Sequence, residues 1–571
     1  DEHDAIASFY GHAGPGCLHV RPLIDTKTVE GVERMVSIAD AVTDLVIEHD
    51  GAVSGEHGDG RARSAWNRKR YGEDVWRLFR DLKTAFDPDW LLNPGQVCGY
   101  GADETMPEDT PARARVVSMD EALRFDPEYD FDAGFDPALN WENENGMQGM
   151  VELCHGCGGC RGSQETTGGV MCPTYRAADE ESTATRGRAN ALRQAMSGDL
   201  PDDPTSDAFA SEILDLCIGC KGCARDCPSE VDMAKLKVEV EHARHQEEGA
   251  SLRDKLFANV ATVNRLGSRL APISNWATSL PYADVLAERL FGIARERDLP
   301  TFERQSFTMW FAERQENRAA AEGSRPNVGA TTDSDRRVVL LADPYSNYTE
   351  TAVPKAAVRV LEAAGVDVTV DPSIQSSGRA AYSKGFTDVA RATASDNVDT
   401  LAPMVAEGVD VVCVEPSDAV MLQSDYLDLL DGSAVERVAG ASYGVCEYLD
   451  RTGLADDLPW DAPECALTYH GHCHQKATRK DHHAVGVLRR AGYAVDPLDS
   501  GCCGMAGSFG YEAEHYSMSQ AIGDILFEQV EGSSGEEVVA PGASCRTQLG
   551  DRPTTSTPAH PIERLADALP G

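Results

Sequence analysis

Two short cysteine runs constrain this chain more than any other feature. The first is Cys154-x2-Cys157-x2-Cys160, with Cys172-Pro173 further on; the second is Cys217-x2-Cys220-x2-Cys223-x3-Cys227-Pro228. Three thiolates on one tight loop can hold three irons of a [4Fe–4S] cube, with the fourth iron held by a more distant cysteine. The rival assignment is a pair of structural zinc sites with four thiolates each. The triple x2 spacing, closed each time by Cys-Pro, favours iron. A chain that carries such cubes handles electrons singly.

The totals agree with a reduced interior. Of 17 cysteines, these motifs claim eight as reduced thiolates, which places the chain in a reducing, cytoplasmic compartment rather than in a disulfide scaffold. No signal peptide precedes the first motif, and no apolar run approaches the roughly 18 residues needed to span a bilayer, so any membrane contact is expected to be peripheral, on the inner face of the cell membrane. The chain opens on Asp1 and runs straight into motif-rich sequence, as the back part of a longer polypeptide would. At 571 residues it has length for three or four domains. With 94 acidic and 52 basic residues its formal charge is −42, which argues against nucleic acid as a partner. The acidic surplus matches the solvated coat of a halophilic protein, whose self-repulsion high salt screens.

The second run has the ligand spacing of bacterial ferredoxins, and in two-cluster ferredoxins the last cysteine of each run crosses to the other cluster. That resemblance implies one [4Fe–4S] cluster on Cys154, Cys157, Cys160 and Cys227, and a second on Cys217, Cys220, Cys223 and Cys172. Between the runs, Arg186-Gly187-Arg188-Ala189-Asn190-Ala191-Leu192-Arg193 reads as a helix start whose cations either offset cluster charge or lie on the surface.

Near the start, Gly11-His12-Ala13-Gly14-Pro15-Gly16-Cys17-Leu18-His19 sets two histidines around a Gly-rich turn. Ser54-Gly55-Glu56-His57-Gly58-Asp59-Gly60 and Phe86-Asp87-Pro88-Asp89-Trp90-Leu91-Leu92-Asn93-Pro94-Gly95 follow. Two histidines and one glutamate are a set that can bind a divalent metal with a position left for substrate, solvated loop side chains being the alternative. Together the three motifs resemble the C-terminal substrate domain of FAD-linked 2-hydroxyacid oxidases over residues 1–97. The resemblance implies His12, His19 and Glu56 as ligands of a divalent metal, zinc by expectation, and His57 as the base that takes the hydroxyl proton while hydride passes to flavin. Pro15 and Arg21 depart from the family pattern; Arg21 can pair with a substrate carboxylate. The family's FAD is bound mainly by a domain with its own Gly-rich pyrophosphate loop, which nothing in this chain matches, so the flavin is expected to be held by a segment absent from it.

Residues 98–150 are acidic and rich in Pro, Gly and Asn, and read as a largely irregular tether. The two-cluster ferredoxin domain spans 151–235, and a helical spacer and linker fill 236–335. Helical periodicity runs over 232–315, where Leu256, Val260, Val263, Leu266 and Leu270 form a stripe assigned to the core in preference to a membrane surface. Residues 316–335 read as a linker.

The last 236 positions repeat internally. Val358-Arg359-Val360-Leu361-Glu362-Ala363-Ala364-Gly365 parallels Val485-Gly486-Val487-Leu488-Arg489-Arg490-Ala491-Gly492; Ser376-Ser377-Gly378-Arg379 parallels Cys502-Cys503-Gly504-Met505; Glu415-Pro416-Ser417-Asp418 parallels Gly542-Ala543-Ser544-Cys545. Strand and helix signals alternate in each half, which predicts two similar α/β lobes, 336–455 and 456–571. The second lobe carries Cys473, Cys502, Cys503 and Cys545, four thiols fit for a metal or cluster. The first has Tyr345, Ser376, Ser377 and Asp418 at roughly matching positions and is predicted to hold none. The tail resembles the cysteine-rich (CCG) domain of heterodisulfide reductase, of the anaerobic glycerol-3-phosphate dehydrogenase C subunit and of the glycolate oxidase iron–sulfur subunit, which implies a third iron–sulfur cluster or zinc there; a vicinal disulfide without metal is the alternative.

The expected fold class is therefore multidomain α/β and α+β: an α+β flavin-oxidase fragment, a mostly helical ferredoxin domain and a two-lobed α/β CCG domain. The order resembles fused FAD and iron–sulfur oxidoreductases of the D-lactate dehydrogenase type. That implies oxidation of a small 2-hydroxyacid, D-lactate by expectation, with electrons leaving through two [4Fe–4S] clusters to a quinone or soluble carrier. The alternatives are an electron-transfer module serving a separate flavoprotein, and a heterodisulfide-reductase-like enzyme. The acidic coat makes its own prediction: transfer from molar salt to dilute buffer lowers the far-UV circular dichroism of the chain, and an unchanged spectrum contradicts a halophilic surface.

Overall fold

Alternating hydrophobic strands and helices build the C-terminal part of the chain. Strands β3 (Arg337–Leu341), β4 (Asp367–Thr369), β5 (Val409–Cys413) and β6 (Ser442–Gly444) form a parallel sheet in the order β4-β3-β5-β6. Strands β7 (Ala466–Tyr469), β8 (Ala494–Pro497) and β9 (Glu537–Val539) form a second, in the order β8-β7-β9. The internal repeat thus appears as one strand order used twice, with β6 added at one edge. β3 is apolar on both faces, as strands covered on both sides must be. Val338 and Leu340 enter a core that also holds Leu467, Tyr469, Val487 and Leu488 of the other lobe, while Val339 and Leu341 enter a separate core with Ala390, Leu401 and Tyr426.

This is a computed structural model, and it describes residues 3–162, 171–200, 203–323, 336–551 and 557–570. The chain divides into two compact units, Asp1–Phe131 and Asp132–Gly571. It is a multidomain α/β protein, about half helical, with parallel sheets in the second unit.

In the first unit, β1 (Ala7–His12) and β2 (Cys17–Pro22) pair antiparallel from Ala7↔Pro22 to His12↔Cys17. Helices Val29–Glu48, Gly60–Tyr71 and Glu73–Phe86 follow. Thr28 caps the first by accepting from the Gly31 N–H, which satisfies one of the free amides of the first turn. The Asp87-Pro88-Asp89-Trp90 segment turns on one carboxylate: Asp87 accepts from the backbone N–H of Leu91 and Leu92 and pairs with Lys83. Trp76 and Trp90 pack there with Cys98 and Ala114.

Three expectations from the sequence need correction. Residues 98–150 are irregular but are not a free tether. Tyr100 pairs with Ala114 and Val116 in the first unit. In the second unit the Ala138 and Leu139 amides and the Trp141 indole donate to the buried Glu239 carboxylate at 2.8–2.9 Å. The stripe assigned to the core breaks at Asn259 into helices Leu252–Ala258 and Val260–Arg269, and Leu256, Val263, Leu266 and Leu270 are exposed. The linker expected from 316 is helical at its start, because helix Phe307–Gly323 runs through it; 324–335 lie outside the described residues.

The ferredoxin region, the helical arm and both lobes meet at one polar knot. His515 Nε2 lies 2.8 Å from Asp215, its Nδ1 lies 3.2 Å from Glu512, and its ring stacks on Phe509 at 4.4 Å. Glu512 also pairs with Lys384 of the first lobe and with Arg253 of the arm. Burial opposes a charge on His515, but Asp215 and Glu512 outweigh it and push its pKa up to about 9. An unfolded histidine titrates near pH 6.5, so the stabilisation is complete below that pH and is lost as the pH rises through 9. Denaturant titrations at constant salt are expected to show wild type losing on the order of 2–3 kcal/mol more than His515→Gln between pH 6 and pH 10. Parallel pH profiles of the two proteins contradict this account of the knot.

Candidate functional sites

The β1–β2 hairpin and the loop after helix Val29–Glu48 build the first site. Tyr10 lies across from His19 in the ladder, so His12, two residues beyond Tyr10, shares the face of His19. The loop brings Glu56 against this face because Gly55 has no side chain: a Cβ there would stand 2.7 Å from Cys17 Sγ. Glu56 Oε2 is 3.3 Å from His12 Nε2, and Glu56 Oε1 is 2.8 Å from His19 Nε2 and 3.0 Å from His57 Nε2. The ligand atoms of His12, His19 and Glu56 lie within 4.8 Å of one another. His19 Nε2 is buried and makes no aligned hydrogen bond despite its closeness to Glu56. An N₂O set of this kind could hold a divalent cation. Arg21, two residues past His19, stands over the Tyr10 ring at 5.6 Å and so shares that face.

In the second unit, the first cysteine run follows helix Gly146–Glu152. Gly156 and Gly158 take the positive φ angles that a tight thiolate loop needs. Donors surround its sulfurs: the Arg186 N–H reaches Cys160 Sγ at 3.4 Å, Asn190 Nδ2 reaches Cys154 Sγ at 3.5 Å, and the Gly159 N–H reaches Cys157 Sγ at 3.5 Å. Arg186 and Asn190 lie in helix Thr185–Met196, so part of the Arg-rich segment serves the sulfurs directly.

Cys217, Cys220, Cys223 and Cys172 line one pocket together with Met171, Arg188 and Met233. Burial pushes the Cys220 and Cys223 thiols well up; at Cys172 burial is outweighed by the buried Arg188 guanidinium, 3.5 Å from its Sγ, together with hydrogen bonds from Thr174 and the Tyr175 N–H, so that thiol is pulled down. Four sulfurs around one void suit a cube, whose irons would stabilise the thiolates that burial disfavours. Cys227 ends helix Gly222–Asp226, and the turn after it meets the first run where His155 Nδ1 lies 2.5 Å from Ser229 Oγ.

The third site lies between the ends of β7 and β8 and helix Ala543–Gly550. Cys473, Cys502, Cys503 and Cys545 are all buried in one cluster with Met505, Leu526 and Phe527. The sequence alone pointed to these four thiols; the structure adds His470. Its Nδ1 is 2.7 Å from Ser500 Oγ, while its Nε2 is buried without a hydrogen-bond partner, within 4.8 Å of the Cys503 and Cys545 sulfurs. One nitrogen fixed by a neighbour and the other left bare is the usual state of a ligating imidazole. Burial pushes the His470 pKa down and keeps the ring neutral. The only sequence signal was the density of histidines in His470-Gly471-His472-Cys473-His474.

This centre adjoins the second cysteine run. Ile218 and Cys220 pack against its cluster, His474 Nε2 is 3.0 Å from the Gly219 carbonyl, and Arg225 donates to the Lys476 carbonyl at 2.7 Å. In the first lobe, Ser377 Oγ donates to the Asp418 carboxylate, the Gly378 N–H donates to Ser376 Oγ, and Tyr345 is surrounded by protein. Burial, reinforced by Asp343, pushes the Asp418 pKa well up.

Comparison with known proteins fits this layout. The model for the C-terminal domain of FAD linked oxidases matches residues 1–97, that for the 4Fe-4S dicluster domain matches 149–231, and that for the cysteine-rich (CCG) domain matches 465–550. The chain is similar to D-2-hydroxyglutarate dehydrogenase of Haemophilus influenzae and to that of Escherichia coli K12, each 25% identical over all of this chain and 56% of the relative. It is also similar to the C subunit of the anaerobic glycerol-3-phosphate dehydrogenase of Escherichia coli K12, 28% identical over 60% of this chain and 83% of the relative. The chain spans little more than half the length of the hydroxyglutarate dehydrogenases it matches. The His12, His19 and Glu56 cluster, the paired cysteine runs and the thiol-rich centre thus fall in three successive domains, and the chain carries an FAD-linked oxidase C-terminal domain, a 4Fe-4S dicluster domain and a CCG domain.

Proposed function

We propose that this chain is the substrate-metal and electron-exit part of an FAD-dependent 2-hydroxyacid dehydrogenase. The approach of His12, His19 and Glu56 on the hairpin, with Arg21 on the same face, carries the reading. In it these three residues hold a divalent cation that binds the 2-hydroxyl and carboxylate oxygens of the substrate. His57, beside Glu56, takes the hydroxyl proton. FAD, when bound, supplies the hydride acceptor. The clusters, when present, take electrons one at a time, and the second run sets its cysteines against the CCG centre.

The relatives' names bear on the substrate. D-2-hydroxyglutarate has a second carboxylate that D-lactate lacks, and Arg21 offers a planar cation for it. We therefore place D-2-hydroxyglutarate ahead of the D-lactate expected from the sequence. The match to one subunit of a glycerol-3-phosphate dehydrogenase over 60% of the chain supports a second reading, in which the chain relays electrons for a separate flavoprotein.

Anaerobic dye reduction by the full-length protein over a panel of D- and L-2-hydroxyacids tests both. Activity confined to D-2-hydroxyacids, with Arg21→Ala lowering kcat/KM for D-2-hydroxyglutarate on the order of 100-fold and leaving D-lactate within a few-fold, is the expected outcome. No turnover of any hydroxyacid contradicts the dehydrogenase reading. A loss shared equally by both substrates contradicts the role of Arg21. At the third site, His470→Ala is expected to lower the metal bound by the CCG centre and to spare the iron of the two cubes; unchanged metal content removes His470 from the ligand set.

A further inference from the structure

The segment Leu252–Phe291 is built inside out. In helix Val260–Arg269 the buried side chains are polar: Asn264 donates to the Pro344 carbonyl at 3.2 Å and Ser268 to the Glu303 carbonyl at 2.5 Å. The apolar side turns outward, with Leu266 and Leu270 more than half exposed, at 51% and 58%. The next two helices, Ile273–Thr278 and Ala283–Phe291, bury no residue at all. They present Ile273, Trp276 and Leu286 at 57–66% exposure, and Tyr282 between them at 79%. A surface helix of a soluble domain turns its apolar stripe to the core; a run of large exposed apolar side chains marks an interaction surface.

Charge identifies what covers it. Between Asp254 and Asp284 there is no Asp or Glu, while Lys255, Arg265 and Arg269 supply positive charge, in a chain with 94 acidic residues and a net charge of −42. This local reversal of sign suits an anionic partner. A second copy of the chain fits poorly, because a twofold contact would set the same cations near one another. An anionic bilayer fits each part. Leucine and isoleucine enter the acyl boundary, Trp276 and Tyr282 rest at headgroup depth with their polar ends outward, and arginine and lysine stems reach lipid phosphates. No described helix is long and apolar enough to cross a membrane, so contact would be by surface helices lying flat.

We infer that residues 252–291 dock this protein on an anionic lipid surface. The arm is tied to the CCG region, with the Ala294 N–H donating to the Tyr511 carbonyl at 2.7 Å and Arg297 Nε to the Gly510 carbonyl at 2.8 Å. Docking therefore fixes the thiol-rich centre relative to the bilayer. This inference stands on the arm alone and holds whether or not the hydroxyacid reading does.

Co-sedimentation of the full chain, at a salt concentration that keeps it folded, tests it with vesicles of phosphatidylglycerol and phosphatidylcholine against vesicles of phosphatidylcholine alone. The chain is expected to pellet with the anionic vesicles, and brominated lipid is expected to quench a Trp signal that Trp276→Phe removes. The Leu266→Gln, Leu270→Gln double variant is expected to lose roughly tenfold in partitioning per leucine, with iron content, circular dichroism and dye reduction unchanged. A chain that stays in the supernatant with both vesicle types overturns the inference. So does a dimer, seen by light scattering, that the double variant abolishes, which would make the arm a contact between copies.

Discussion

The structure depends on burying thiolates that have no business in a dry interior without iron. Burial, reinforced by the neighbouring thiols and, at Cys223, by Asp232, pushes the Cys220 and Cys223 thiols well above their ordinary pKa. An ionised sulfur in apolar surroundings is costly unless a cation shares the site. Arg188 supplies one such charge beneath Cys172, and the Arg186 and Asn190 donors reach the first run. The remainder of the charge is left for metal to balance. Because Ile218 and Cys220 belong at once to the second run and to the wall of the CCG centre, the second cavity cannot shift without moving that centre.

Buried ion pairs hold this arrangement in register. Lys221, inside the second run, pairs with the fully buried Asp425 of the first lobe, which also takes Arg379. Lys235 of helix Met233–Glu247 pairs with Asp428 nearby. Such pairs repay their desolvation poorly in stability, but removing one partner strands a charge. The first lobe, with Tyr345, Ser376, Ser377 and Asp418 at the positions that roughly match the thiols of the second, therefore has a structural role: its Asp425 braces the second run through Lys221, and its Glu415 accepts from the Ala543 N–H beside Cys545.

How much of this was legible varied with the range of the interactions involved. Cysteine spacing is local, so the thiolate loops follow from a few residues, whereas the pocket that Cys172 shares with Cys217, Cys220 and Cys223 was implied by the ferredoxin resemblance. The repeat of the C-terminal half surfaced as the matching strand orders β4-β3-β5 and β8-β7-β9. The histidine–glutamate site needed the resemblance, because His12 and Glu56 meet only through the hairpin register and the Gly55 approach. The failures were long-range. Helical period showed that Leu266 and Leu270 share a face, but not that the opposite face would be drawn inward by the Pro344 and Glu303 carbonyls. Nothing near Ala138 in sequence announces the Glu239 carboxylate a hundred positions away that anchors it. His470 carries no ligand spacing of its own, and only its bare Nε2 beside Cys503 and Cys545 singles it out.

The central claim is that the two thiolate runs hold iron–sulfur cubes set against the CCG centre. Anaerobic purification, assay of iron and acid-labile sulfide, and electron paramagnetic resonance after dithionite reduction test it most directly. The account predicts acid-labile sulfide in proportion to iron and two reduced [4Fe–4S] signals broadened by mutual spin coupling. Protein that contains zinc, no acid-labile sulfide and no paramagnetic signal on reduction would contradict it.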